Sequence, residues 1–399
     1  MTSRERVVAA LNHRESDRVP VDLGGTDSSG IMGIAYNRLK QGLGLSTPTQ
    51  VYDVMQMIAK VEPAVLEAVE ADAMPVLLEP RRWKPWRLQD GSGAEIPAGV
   101  HLKELAGGEL LQLADDGTVI GRCPPGGLYI EPVCHPLEQA GTVQDIDASG
   151  PHFASFDWPG HADETFEDLE GKARRLYEET SYAIVGNLCV HLFAAGQSLR
   201  GFENFMVDLA ADKPMAHRLL ERQLEAYLPR IERYCRAVGP YVQVILVNDD
   251  LGTQSGPQIS PALYREMIKP YHRKLWRTIK EKSGKPLLLH SCGSVVELIP
   301  DLIELGIDSL NPIQVSAEGM DTRKLKKEFG RDLTFWGGGC DTQRILPHGS
   351  VQEVKDEVRR RIDDLAPGGG FVFCQVHNIL ADVPVENILA MYEAVKAYV

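Results

Sequence analysis

Eight short runs of apolar and β-branched residues, separated by helical patterns along 399 residues, constrain this chain more than any other feature. They are VPVDL (19–23), AMPVLL (73–78), AIVGNLC (183–189), VQVILVN (242–248), PLLLH (286–290), IDSLN (307–311), LTFWG (333–337) and FVFCQ (371–375). Strands alternating with helices are the signature of βα units, and eight is the number that closes a (β/α)8 TIM barrel. The length would serve one large barrel or two medium domains; the alternation predicts one barrel over 1–399. Helix starts are marked by capping boxes at Thr2 with Glu5, Ser294 with Glu297 and Ser350 with Glu353. Ser260 and Pro261 open a long helix that Gly284 can close.

The stretch from 80 to 180 is too long for one crossover. Within it, ELLQLADDGTVIGR alternates around Asp116 and Gly117 and predicts a β-hairpin. It reads as an insertion between the second and third barrel strands, capping one face.

With 42 Lys and Arg against 56 Asp and Glu, the formal charge is −14. That balance argues against a general nucleic-acid or anionic-membrane surface and for a small-molecule or protein partner. The N-terminus lacks a signal-like apolar run, and no stretch approaches the ~18 apolar residues of a membrane span, so the expectation is a cytoplasmic protein. Seven scattered cysteines do not suggest a disulfide framework.

The sharpest local signal is LLLHSCG, where a strand-like run ends on His290 and Cys292. On a strand these two project to the same side, at the barrel end that carries active sites. Cys340, in LTFWGGGCDTQ, follows the 333–337 strand at the same end, behind three glycines that allow a close backbone approach. One imidazole and two thiolates suit zinc, and three protein ligands leave the open position of a catalytic site. A His-x-Cys pair alone is better explained by a buried cysteine and a hydrogen-bonded histidine; Cys340 tips the reading to a metal. In a closed structural site, Cys374 or His377 would be the fourth ligand. Asp249, Asp250 and His377 are candidates to orient substrate or move a proton, and Asn248, Gln314, Asp341 and Gln375 lie on the same predicted rim. An aspartate after a barrel strand is as readily a helix cap, which leaves both readings open for Asp249 and Asp250.

The segments RERVVAALNHRESDRVPVDL, NDDLGTQSGPQISPALYREMIKPY, HSCGSVVELIPDLIELGIDSLNPIQ, FWGGGCDTQ and VHNILADVPVENILAMYEAV resemble, in order and spacing, the uroporphyrinogen decarboxylase superfamily. The likeness is to its zinc-dependent, cobalamin-linked methyltransferase branch. The resemblance implies one (β/α)8 barrel, zinc on His290, Cys292 and Cys340, and a separate corrinoid protein that gives or takes a methyl group. The small substrate would be a methyl ether, a thioether or a thiol acceptor. The identity of donor and acceptor, the direction of transfer and a homodimer are left open. A decarboxylase would need an arginine-rich segment after the first strand, and VDLGGTDSSGIMG has no arginine. Other readings are a zinc-dependent lyase or hydrolase without corrinoid, and a non-catalytic metal-bound binding barrel.

Overall fold

The computed structural model describes residues 1–150 and 161–398. Seven parallel strands form one curled sheet in chain order: Ala73–Val76, Ala183–Asn187, Val244–Asn248, Leu287–His290, Ser309–Asn311, Thr334–Trp336 and Phe371–Val372. The first predicted strand, 19–23, is reduced to one bridged residue. Val21 pairs in parallel with Phe373, and its carbonyl accepts the Asp72 N–H at 2.6 Å. This stave joins the first and last strands of the sheet and completes a ring of eight. It is short because Asp22 Oδ1 captures the Gly25 N–H at 2.7 Å and turns the chain away.

The ring is filled by Ala73, Ala183, Val185, Val244, Leu246, Leu288, Trp336 and Val372, all fully buried. Small residues on the early strands leave room for the Trp336 indole, whose Nε1 donates to the buried Asp22 carboxylate at 2.8 Å. Val7 and Ala10 of the Ser3–Leu11 helix join the same cluster and plug the amino-terminal end. That helix opens on the expected Thr2/Glu5 capping box, and Val351–Leu365 opens on the Ser350/Glu353 box. The Ser294/Glu297 box does not form. The Ser294 N–H is taken by the Thr253 carbonyl, and the chain enters Ile299–Glu304 through a 3-10 turn at Val296–Leu298. Ser260 caps as expected, and Gly284 closes Lys269–Ser283 in the left-handed conformation.

Between the second and third staves, the predicted hairpin is Leu110–Leu113 paired with Val119–Cys123, turning through Gly117 at φ +87°. The insertion holds more than that expectation: Trp83–Arg87 pairs with Gly93–Pro97, and His101–Glu104 and Glu131–Pro132 extend the second sheet. Residues 151–160 of the predicted insertion lie outside the described residues. Phe166–Glu179 is the crossover helix that leads into the Ala183–Asn187 strand. Among the described residues, no helix is long and apolar enough to cross a membrane.

Ring closure rests on a buried carboxylate. Asp72 accepts from the Val21 N–H at 2.9 Å and from Arg18 at 2.6 and 3.0 Å, with Arg6 at 3.2 Å. Asp72→Ala leaves these donors uncompensated. It should lower the unfolding free energy by about 3–5 kcal/mol, read as a fall in the urea midpoint.

Candidate metal centre

Two adjacent strands end on the site. Asn248 and His290 are register partners at the carboxyl ends of Val244–Asn248 and Leu287–His290. The Asp249 N–H then donates to the His290 carbonyl at 2.9 Å, and the Cys292 N–H donates to Asp250 Oδ1 at 2.8 Å. Gly293, at φ +84°, lets this loop lie backbone to backbone on the next: a Cβ there would come within 2.5 Å of Gly252. Cys292 is thereby held beside His290, with Sγ 3.5 Å from Nε2. The Gly293 N–H donates to Gln314 at 2.7 Å, which adds a third strand end.

His290 is buried, and its Nδ1 lies 2.8 Å from Asn311 Oδ1. A carboxamide oxygen can only accept, so the Nδ1 carries a hydrogen, and Nε2 faces Cys292 and Asp250, whose Oδ1 is 3.7 Å away. His377 comes from beyond the last strand, and its ring centroid is 5.8 Å from that of His290. Its flanking residues are pinned: Gln375 Nε2 donates to the Gly30 carbonyl and the Gly30 N–H donates to Asn378. Ligand atoms of His290, Cys292 and His377 all lie within 4.8 Å of one another. Burial, then the charge of His290, push His377 down to about 4, which leaves it a neutral donor at pH 7. Burial opposes a charge on His290, but the Cys292 sulfur with Asp250 and Asp27 outweighs it and raises that pKa well above the ordinary value.

Cys340 is not brought to this group. It is fully buried in the layer between sheet and helices, and its charged neighbours are Glu357 and Arg361 of the Val351–Leu365 helix and Asp341. Burial, with Glu357 and Asp341, raises its thiol well above the usual range. The glycines before it approach protein: a Cβ on Gly338 would meet Ile313 at 2.7 Å, and one on Gly339 would meet the Phe373 ring at 2.2 Å. Cys374 lies inside the barrel, with Sγ 4.0 Å from Asn311 Nδ2, and is not one of the converging donors.

The two aspartates divide. Asp249 is buried; its carboxylate accepts the N–H groups of Leu192, Phe193 and Ala194 at 2.7–3.0 Å, at the start of the Phe193–Arg200 helix, and pairs with His272 Nε2 at 2.8 Å. Burial opposes this charge, but His272 and the helix N–H groups outweigh it and hold the pKa below the usual carboxylate range. Asp249 is thus a cap, while Asp250 is half exposed beside the metal group. Asp341 and Gln375 serve local turns and packing through Gln343 N–H and Tyr392.

Sequence reasoning missed Asn311, Asp27 and Tyr129. Beside the metal group a cavity of about 400 Å3 is walled by Asp27, Tyr52, Asp53, Asn187, His191 and Tyr234 among others. Asp27 Oδ2 accepts from Asn248 Nδ2 at 2.6 Å. Tyr129 arrives from the insertion, where the Ile130 N–H is anchored on the Met55 carbonyl. Burial, then Cys292, Asp382 and other acidic neighbours, raise its phenol pKa.

An eight-staved α/β barrel with a cluster of imidazole and thiol donors at its carboxyl-terminal mouth has the anatomy of a barrel enzyme. The family model for uroporphyrinogen decarboxylase (URO-D) matches residues 188–398, and the chain belongs to that family. Uroporphyrinogen decarboxylases from two strains of Thermus thermophilus are each 26% identical over 212 residues, covering 52% of this chain and 56% of theirs. The chain thus spans about half the length of the curated relatives it matches. A methyltransferase from Methanosarcina mazei shares the fold with a TM-score of 0.59 at 19% identity, over 100% of this chain and 99% of that one.

The division of the aspartates has a measurable consequence. Asp249→Ala strands three helix N–H groups and His272, and should cost about 3–5 kcal/mol in chemical denaturation. Asp250→Ala, which frees only the Cys292 N–H at a half-exposed carboxylate, should cost about 1–2 kcal/mol.

Proposed function

We propose that this protein is a zinc-dependent methyltransferase that moves a methyl group between a small substrate and a corrinoid carried by a partner protein. The observation that carries the reading is the His290, Cys292 and His377 group beside a cavity at the barrel mouth. Two imidazoles and a thiol fit zinc better than magnesium or calcium, which take oxygen donors. Three protein donors leave a position for substrate. The fold shared with the Methanosarcina protein speaks to architecture alone; the choice of reaction rests on the donor set and on the missing arginines.

Bound zinc would supply Lewis acidity, either drawing the proton from a thiol acceptor or polarising the heteroatom that a methyl group leaves. The chain's own groups prepare that event. Asn311 keeps the His290 Nδ1–H occupied and so presents Nε2. His377 is neutral at working pH. Asp250 fixes the Cys292 backbone and presents a partly exposed carboxylate suited to pass a proton between the mouth and water. Asp249 holds the surrounding backbone from behind, and the insertion would supply part of a docking face for the corrinoid domain.

Elemental analysis of protein purified without oxygen tests the donor set. Wild type and Cys340→Ala should each carry about one zinc per chain, and Cys292→Ser and His377→Ala should lose most of it. Loss in Cys340→Ala with retention in His377→Ala would restore the set expected from sequence. Because the metal must displace a proton held on His290, zinc affinity should fall as pH drops, with competitive chelation as the readout. Zinc-loaded protein mixed with a corrinoid protein and candidate methyl donors or acceptors should change the cobalt absorption band. No change with any pair would overturn the methyltransferase reading.

A further inference from the structure

We propose that the cavity beside the metal group takes a small substrate that presents a hydrogen-bond donor, a hydroxyl or a protonated amine, to Asp27, and that it disfavours carboxylates. The inference rests on the function proposed above and narrows its substrate class.

Three observations carry it. First, Asp27 Oδ1 and Asn248 Oδ1 are both buried without a hydrogen-bond partner. Their side chains touch through the Asn248 Nδ2 to Asp27 Oδ2 bond at 2.6 Å, so the two orphaned acceptors belong to adjacent groups. A buried acceptor without a donor is costly, and what this pair lacks is an O–H or N–H. Second, the pair stands next to the chemistry. Asn248 is the register partner of His290, and the charge of Asp27 acts on His290 as well as on Tyr52 of the cavity wall. A substrate anchored there has its other end within reach of the metal group. Third, the wall has a sign and a texture. Among the described residues it carries the Asp27 and Asp53 carboxylates against one guanidinium, that of Arg230, a balance that repels a substrate carboxylate. Tyr52, Phe166 and Tyr234 contribute rings suited to a flat apolar body or to an ammonium. The Tyr234 hydroxyl is buried and unpartnered, seated over Gly186, where a Cβ would stand 2.9 Å from it. At about 400 Å3 the cavity is near the lower end of the roughly 300–1,000 Å3 range of small-molecule sites.

The test is calorimetric titration of the full chain at neutral pH, with metal content measured alongside. The probes are 2-methoxybenzyl alcohol, 2-methoxybenzylamine and 2-methoxybenzoate, which match in size and differ in the donor. The alcohol and the amine should bind at least about tenfold tighter than the benzoate. Asp27→Ala should erase that order. Asp27→Asn, which keeps an acceptor but not the charge, should retain the alcohol and weaken the amine by about tenfold; this split carries the test if the alanine variant does not fold. Benzoate bound as tightly as the others would overturn the proposal. So would an unchanged order in a folded Asp27→Ala protein, or no binding of alcohol or amine at about 10 mM. The readout needs no corrinoid. A zinc-free protein with the expected order sinks the methyltransferase reading alone, whereas a zinc-loaded, methyl-transferring protein that prefers the benzoate sinks this one alone.

Discussion

The carboxamide of Asn311 ties the reactive end of this barrel together. Its oxygen accepts from His290 Nδ1 and from Ser28 of the loop after the first stave, and its nitrogen donates to the Trp336 carbonyl at the end of a third strand. One buried side chain therefore sets the tautomer of the central histidine and the spacing of the strand ends around it. A histidine that is to hold a metal needs such a partner to fix its ring and raise its basicity. Here the partner is neutral, so it orients the ring without adding another charge to a mouth that already holds Asp27, Asp53 and Asp250.

The neighbouring aspartates show how strand geometry assigns roles. Successive residues at a strand end face opposite sides, so Asp249 turns outward to the helix layer and Asp250 turns toward the metal group. The outward carboxylate meets a helix N-terminus and an imidazole, partners that stabilise a buried anion. His272 is itself held by Tyr264 and stacks on Trp276 at 4.1 Å, so the support extends into the second layer. The mouth thus gains its precision from groups that never face it.

Much of the architecture was legible from local chemistry. Seven of the eight predicted runs contain strands of the sheet, because apolar β-branched runs between capped helices have few alternatives. The eighth, around Val21, survives only as a bridge, since the capture of Gly25 by the Asp22 side chain is a local turn that hydropathy does not report. At the site, His290 and Cys292 were visible through their spacing and their place at a strand end. Cys340 was read into the same mouth from its strand position; whether its side chain faces mouth or helix layer depends on how the Gly337–Gly339 run threads past Ile313 and Phe373, a tertiary matter. The sequence marks His377 as a candidate to move a proton or to close a structural site, but its approach to His290 depends on Gln375 and Asn378 clasping Gly30, a contact far apart in sequence. Tyr129 was hidden for the same reason, since an insertion carries no signal of where it folds back.

If His290, Cys292 and His377 form the metal centre of this family member, X-ray absorption at the zinc edge of the metal-loaded protein will report their chemistry. The spectrum should show a single sulfur scatterer near about 2.3 Å, with the remaining ligands nitrogen or oxygen near about 2.0–2.1 Å and an imidazole signature. Two sulfur scatterers would place Cys340 at the metal and contradict this assignment, as would folded protein that takes up no zinc.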